Sequence, residues 1–347
     1  RRVSGGEIDF TFGGNANLRN TIELTLSEVN NLKLEYKSKD IIVLPGEGDK
    51  ILIREYLYSD RENAKATVTT LEDGEVIVTE GRVTSFVFFG LGLMQGGERI
   101  EVCIPDRALK NLFIGTGSGN IRGNHDCVAE DGRLISQAGS GNIKWKNVSC
   151  RELLFRAGSG NVHVSNLTGA VEIQTGSGNI TGEAVCGSVK ADAGSGNITM
   201  EEFSGSGELS SNSGNINVEA VAVHNDLELE TGSGNINLRL PEELEFHLQI
   251  NTGSGSIRTN CDDVLSYNKK GNSAEGSVGT NPILTIRAKT GSGNVKLHMK
   301  SKLPGYKSAY SPVLIFRNWL GKSCLDVFPE QIKRAFLVLH RKLFLRW

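Results

Sequence analysis

Across its 347 residues the chain has a net charge of −2, 38% apolar residues and only 6% aromatics. No basic field covers it, which excludes an ordinary nucleic-acid-binding surface, because phosphate binding needs clustered cationic charge. A core so poor in aromatics must be filled by small and β-branched side chains.

Residues 1–112 carry alternating apolar stretches, "TIELTLSEV", "LKLEYKS", "DIIVLPGEGDKILIREYLY", "GEVIVTEG" and "RIEVCIPD", bounded by Gly, Asp and Asn. Period-two alternation between such breakers predicts strands. This part reads as the N-terminal portion or cap of the array that follows, because a solenoid end must differ from its middle to block edge-to-edge growth. The apolar run "FVFFGLGLM", Phe86 to Met94, is too short to cross a bilayer and reads as a buried strand. The chain begins at Arg1 with no signal-type apolar segment, as a mature or truncated piece would.

From residue 113 to 299 a Gly-Ser-Gly-Asn motif recurs. Its first positions are Gly117, Gly139, Gly158, Gly176, Gly194, Asn212, Gly232, Gly253 and Gly291, and 28 of the 42 glycines lie between Gly115 and Gly293. Spacings are 18 to 22 residues except for a last interval of 38, which is expected to hold one degenerate copy. A short period in many copies predicts a solenoid. Alternation such as Val171-Glu-Ile173 makes its rungs strands. The second motif position is always Ser and the third always Gly. The fifth is always Ile or Val, from Ile121 through Ile180, Ile198 and Ile216 to Val295. Stacked at ~4.8 Å, such a column would line a parallel β interior. Leu167, Val185, Phe203 and Val221, and Val171 with Val189, are expected to line it as well. The glycines are expected to turn corners at positive φ, with Asn212 the tolerated substitute. The Asn at the fourth position is expected to stack as an amide ladder.

Residues 300–347 change character. They hold 9 basic and 2 acidic residues from Ser301 on, a net of +7 that leaves −9 for the rest of the chain, and "PEQIKRAFLVLHRKLFLRW" has Ile332, Phe336, Leu339 and Leu343 at helical spacing. The tail reads either as a basic amphipathic helix, able to cap the solenoid or lie on an anionic membrane, or as a non-native extension. It is the one place where membrane contact is expected.

The histidines His125, His163, His224, His247 and His298 fall at unrelated offsets within the repeat and do not stack. No GxSxG, HExxH or phosphate-loop motif occurs, and a calcium-binding β-roll would need Asp where Asn stands. One acidic column stands out: Glu183, Glu201 and Glu219, 18 residues apart, are expected on one corner of three successive rungs as a weak site for a divalent cation or a cationic partner. Glu172, Lys190, Glu208 and Asp226 form a second column with a structural role. Six cysteines occur without a CxxC pair. Cys127 and Cys150 lie one rung apart, within reach of a bridge, with free buried thiols the expected form and the disulfide state open.

The motif array, joined to "DIIVLPGEGDKILI", "ERIEVCIP" and "GSVGTNPILTIRAKTGSGNVKL", resembles a bacterial domain family of unknown function, the "putative adhesin" family, which includes Lia-type and YvlB-like envelope-stress proteins. The resemblance spans roughly residues 1–299 and departs at the tail. It implies a right-handed, single-stranded parallel β-helix, commonly attached to the cell envelope, with no enzymatic residues to carry over. The expected protein is therefore an all-β solenoid that is not an enzyme, needs no cofactor, and presents rigid faces to an envelope component, a glycan or a protein in the envelope or outside the cell. The alternatives are a polysaccharide-active β-helix enzyme and a cytoplasmic partner in envelope-stress signalling.

Overall fold

The computed structural model describes residues 16–71, 73–81 and 97–300. The run Phe86 to Met94 and the tail 301–347 lie outside the described residues. The chain winds into a parallel β-solenoid whose rungs are joined by backbone hydrogen bonds. Ile143, Val162, Ile180, Ile198, Ile216 and Ile236 stand over one another in register, and each is at most 1% exposed. Burying each of these side chains contributes about 1.5–3 kcal/mol, which is how a glycine-rich chain offsets its ordering entropy.

The adjoining inward column is uneven in size. Gly123, Trp145, Val164, Gly182, Met200, Val218 and Leu238 follow one another in register. A Cβ on Gly123 would lie 2.2 Å from the Trp145 ring, and one on Gly182 would lie 2.4 Å from the Met200 sulfur. The two largest side chains of the column each sit beside a glycine, so the tube stays close-packed while its diameter is set by the backbone.

The motif glycines have a different origin from the expected one. None has positive φ. They are glycines because successive corners lie directly on top of one another: a Cβ on Gly139 would fall 2.3 Å from the Gly117 carbonyl oxygen, and one on Gly141 only 1.7 Å from that of Gly119. The clash is closer at the third motif position, 1.7–2.0 Å in every copy, than at the first, 2.2–2.5 Å. This accounts for the third being Gly throughout, while the first admits Asn212. Left-handed backbone is found at a second corner instead, where Asn147, Asn166, Ala184 and Glu202 take φ of 56°, 56°, 51° and 52° in successive rungs. Asn tolerates that conformation, and here it also forms a ladder, Asn166 Nδ2 donating to Asn147 Oδ1 at 2.7 Å and Asn147 Nδ2 to Asn124 Oδ1 at 2.7 Å.

Both ends of the stack depart from chain order. Asn31–Tyr36 and Asp40–Pro45 form a rung beneath the first motif copy, with Lys37-Ser38-Lys39-Asp40 in the place of Gly-Ser-Gly-Asn. Beyond it lies a rung that comes later in sequence, Glu75–Thr79 and Arg99–Ile104. At the far end the expected degenerate copy between Gly253 and Gly291 does not exist. The 38-residue interval contains Leu265–Tyr267 paired antiparallel with Ser273–Val278, which pairs antiparallel with Phe246–Thr252. The chain then threads back, so that Thr285–Thr290 lies between Ile216–Thr231 and Phe246–Thr252, and Val295–Lys300 between Ile236–Pro241 and Ile257–Arg258. The spatial order of the corners is thus Gly232, Gly291, Gly253. Antiparallel strands at both ends, including Asn17–Thr25 on Lys50–Leu57 and Thr67–Thr70 on Glu75–Thr79, break the repeat that would otherwise offer a template for stacking copies.

Two further expectations are corrected where rung length changes. The strand Ile216–Thr231 is two residues longer than Ile198–Ser211, and the excess shifts the register. Phe203 faces Ala220, and Val221 points to solvent at 55% exposure. In the charged column Glu208 faces Glu228 and not Asp226. Asp226 instead accepts from the Thr285 backbone N–H at 2.7 Å and pairs with Arg287 at 3.3 Å.

Candidate functional site

The corner organises everything near it. The residue before each motif points inward, and in five copies its hydroxyl staples two rungs, whereas that of Thr252 donates within its own corner to the Gly255 carbonyl at 3.0 Å. Thr175 Oγ1 donates to the Gly160 carbonyl at 2.8 Å and accepts from Gly178 N–H at 3.1 Å. Thr116, Ser211, Thr231 and Thr290 do the same. Ala138, Ala157 and Ala193 occupy this place without a staple. Sequence reading missed the column because Thr, Ser and Ala are not alike in composition; the signal was position, one residue before each motif.

On the outside of the corner the fourth-position asparagines stack as a ladder, but amide-to-amide bonds join only some steps, such as Asn142 to Asn120 and Asn294 to Asn235, and the unbroken series runs through the backbone. Each Oδ1 accepts the backbone N–H of the next Asn, at 2.8–3.0 Å from Asn120 to Asn294. Asp40 starts the ladder, accepting from Asn120 N at 2.8 Å. Satisfying these amides at the crowded corner makes a stiff edge.

Two outward faces flank this edge. On the face after the corner, Glu183 and Glu201 stand in register, and Glu219 follows one rung on. Glu219 is met from within the chain by Arg239 at 3.3 Å and by Lys300. The Lys300 hydrogen bond, with help from Arg239, holds its carboxyl below the usual carboxylate range. At one end of this column the carboxylate is thus already engaged by the protein's own Arg239 and Lys300. Among the described residues no group of three or more His, Cys, Asp or Glu is placed to hold a metal ion. Earlier along the same face Arg122, Lys144 and His163 share one register row. Burial, with Lys144 and Lys146 nearby, lowers the His163 pKa.

Among the described residues the other histidines are dispersed in space as they are in sequence. His125 is buried, with Nε2 2.8 Å from the Ile104 carbonyl, and burial depresses its pKa. His224 lies 3.2 Å from Ser204 Oγ and is lowered by burial. His247 Nδ1 lies 2.8 Å from Ser277 Oγ, and His298 faces Arg239 in the neighbouring strand. Cys127 and Cys150 are free and buried. Burial pushes the Cys150 thiol up to about 12 and raises that of Cys127 as well, so neither carries thiolate character.

The face before the corner carries a row of polar side chains, one per rung: Gln137, Arg156, Gln174, Asp192 and Ser210, in register. It borders an open hollow of about 860 Å³ running along the glycine corners from Tyr36 to Gly194. Arg156 pairs with Glu172 at 3.1 Å, and Gln174 donates to the same carboxylate at 3.0 Å. Phe113 lies at one end of the hollow and separates it from a second, of about 340 Å³. Sequence reading did not single out this row, since its residues share no type; only their register unites them.

A parallel β-solenoid with this corner belongs to a recognisable class. Residues 29–298 match the Toastrack DUF4097 family, and the chain is a member of it. Among solved structures it resembles a "putative cell adhesion protein" from Clostridium sporogenes at 12% identity, covering 81% of this chain and 98% of that one with a TM-score of 0.24. It also resembles a "putative adhesin" from Bacteroides fragilis at 14%, covering 80% and 96% with a TM-score of 0.33. A third is a "putative lipid binding protein" from Parabacteroides distasonis at 16%, covering 81% and 98% with a TM-score of 0.35. No curated protein matches the chain.

Proposed function

We propose that this protein is a non-catalytic recognition module of the cell envelope, a stiff rod whose outer faces hold polar side chains at fixed spacing against an extended envelope component. The observation that carries this reading is the corner. Rungs stacked too closely to admit a Cβ, stapled by inward hydroxyls and bound by the asparagine ladder, keep the outward side chains of successive rungs in fixed register. Pre-ordered side chains lose little freedom on binding, which is the physical advantage of such a scaffold over a loop surface.

The test is co-sedimentation of the full chain with isolated bacterial envelope fragments, accompanied by a reducing-sugar assay on the same fragments. The expected result is saturable binding without release of reducing ends. Absence of binding would overturn the recognition reading, and release of new reducing ends would replace it with a polysaccharide-cleaving activity.

A further inference from the structure

The polar row and the hollow beside it belong together. The inward residues and the first glycines of the motifs, Gly139, Gly158, Gly176 and Gly194, form the floor, and the row Gln137, Arg156, Gln174 and Asp192 forms one wall. Both limits of the trench fall where the first motif position regains a side chain. Lys37 fills it at one end, beneath Gly117, and Asn212 at the other, above Gly194. The open length is roughly 24 Å at ~4.8 Å per rung.

The chemistry of the wall selects an occupant. Arg156 pairs with Glu172 and Glu35 with Lys33 at 3.0 Å, which leaves only the Asp192 charge along the wall, so the trench has no strong field for a polyanion or a polycation. Gln, Arg and Asp together offer planar donors and acceptors, which suit the vicinal hydroxyls of a sugar. A peptide strand would need free backbone groups, and the floor has none to offer. Gly139 N–H donates to the Thr116 carbonyl, Gly158 N–H to Ala138, Gly176 N–H to Gly158 and Gly194 N–H to Thr175, all at 2.9–3.0 Å. β-Augmentation is therefore closed to it. A lipid chain would find a polar wall and a floor of peptide groups.

We propose that this trench, between Lys37 and Asn212, binds a linear, uncharged oligosaccharide laid along the stacking axis, with about one sugar unit per rung. The inference rests on the recognition reading above and assigns it a site and a ligand class. The repeat of an extended polysaccharide is comparable with the rung spacing, so each unit meets an equivalent place in the wall, and the half-buried Phe113 offers apolar surface at the Lys37 end.

Calorimetric titration of the full chain with β-1,4-linked glucose, β-1,4-linked N-acetylglucosamine and mannose oligomers of two to eight units tests it. At least one series is expected to bind, with affinity rising to about five units, one per open rung, and then levelling. The outward-facing triple variant R156A/Q174A/D192A, with its unfolding midpoint checked, should bind at least about tenfold more weakly. The Asn212→Gly variant should let eight units bind more tightly than five. The inference is overturned if no series binds at millimolar concentration, if the triple variant binds as well as the native chain, or if a Gly/Ser decapeptide competes. Envelope co-sedimentation separates the two claims. Undiminished binding by the triple variant removes the trench and leaves the recognition reading, whereas absence of envelope binding by the native chain removes the latter, with the sugar titration alone then deciding the former.

Discussion

Replacing Gly178 by Ala tests why the motif contains glycine. The added methyl would lie 2.0 Å from the Gly160 carbonyl oxygen, 2.5 Å from its carbon and 2.9 Å from Asn161 N. All three are backbone atoms, so no side chain can swing aside. Restoring ordinary contact requires the two corners to part by more than about 1 Å, an overpacking strain of about 1–3 kcal/mol. Parting also stretches local rung-to-rung bonds, among them Thr175 Oγ1–H to the Gly160 carbonyl and Asn179 N–H to Asn161 Oδ1, at about 1 kcal/mol each. The expected loss is about 3–5 kcal/mol, read from the midpoint of urea unfolding. Gly176→Ala, whose methyl would stop 2.5 Å from the Gly158 oxygen, should cost less, since Lys37 and Asn212 are accommodated at equivalent places. If glycine served a positive φ, Asn would be tolerated at 178 and Ala would not. Stacking instead predicts that Gly178→Asn and Gly178→Ala are similarly damaging. A Gly178→Ala protein within about 1 kcal/mol of the native chain, or a clear advantage of Asn over Ala, would refute the reasoning.

Three other outcomes are expected. Ala157→Thr should add the missing staple to the Gly141 carbonyl and raise stability by about 1 kcal/mol, while Thr231→Val should lower it by about 1–3 kcal/mol by stranding Gly214 O and Gly234 N; denaturant midpoints measure both. Ala184→Asn should stabilise by about 1 kcal/mol, because Asn accepts the left-handed backbone at φ 51° and can extend the Asn147–Asn166 ladder, and the thermal midpoint reads it. Burial lowers the folded-state pKa of His125, His163 and His224 below the ordinary histidine value of about 6.5. Below that value the unfolded chain therefore binds protons that the folded chain does not, and stability should fall as pH drops from about 7 toward 5. His224→Gln should flatten that slope in a pH series of unfolding midpoints.

The chain's own pattern was enough to define a solenoid with one aliphatic column, because that column recurs at a fixed offset from a corner whose residue types hardly vary. Ile180, Ile198 and Ile216 are legible as neighbours without coordinates, and so is the asparagine ladder. Other features were not legible because they depend on which backbone lies above which. An 18-residue count places Val221 in the interior, and two extra residues in its rung turn it outward. The polar trench row has no common residue type to betray it.

What the sequence determined alone is the period, the parallel stacking and the aliphatic filling, since each follows from local propensity repeated many times. What the tertiary structure decided is the order of the terminal rungs, the cause of the glycines and the placement of the polar trench. Each of these is set by contacts between segments far apart in the chain. Val295–Lys300 lies between Ile236–Pro241 and Ile257–Arg258, a placement that no nearest-neighbour reading of the repeat contains. The motif glycine is likewise dictated by a carbonyl one full turn away, which is a fact about stacking and not about the residue's own φ.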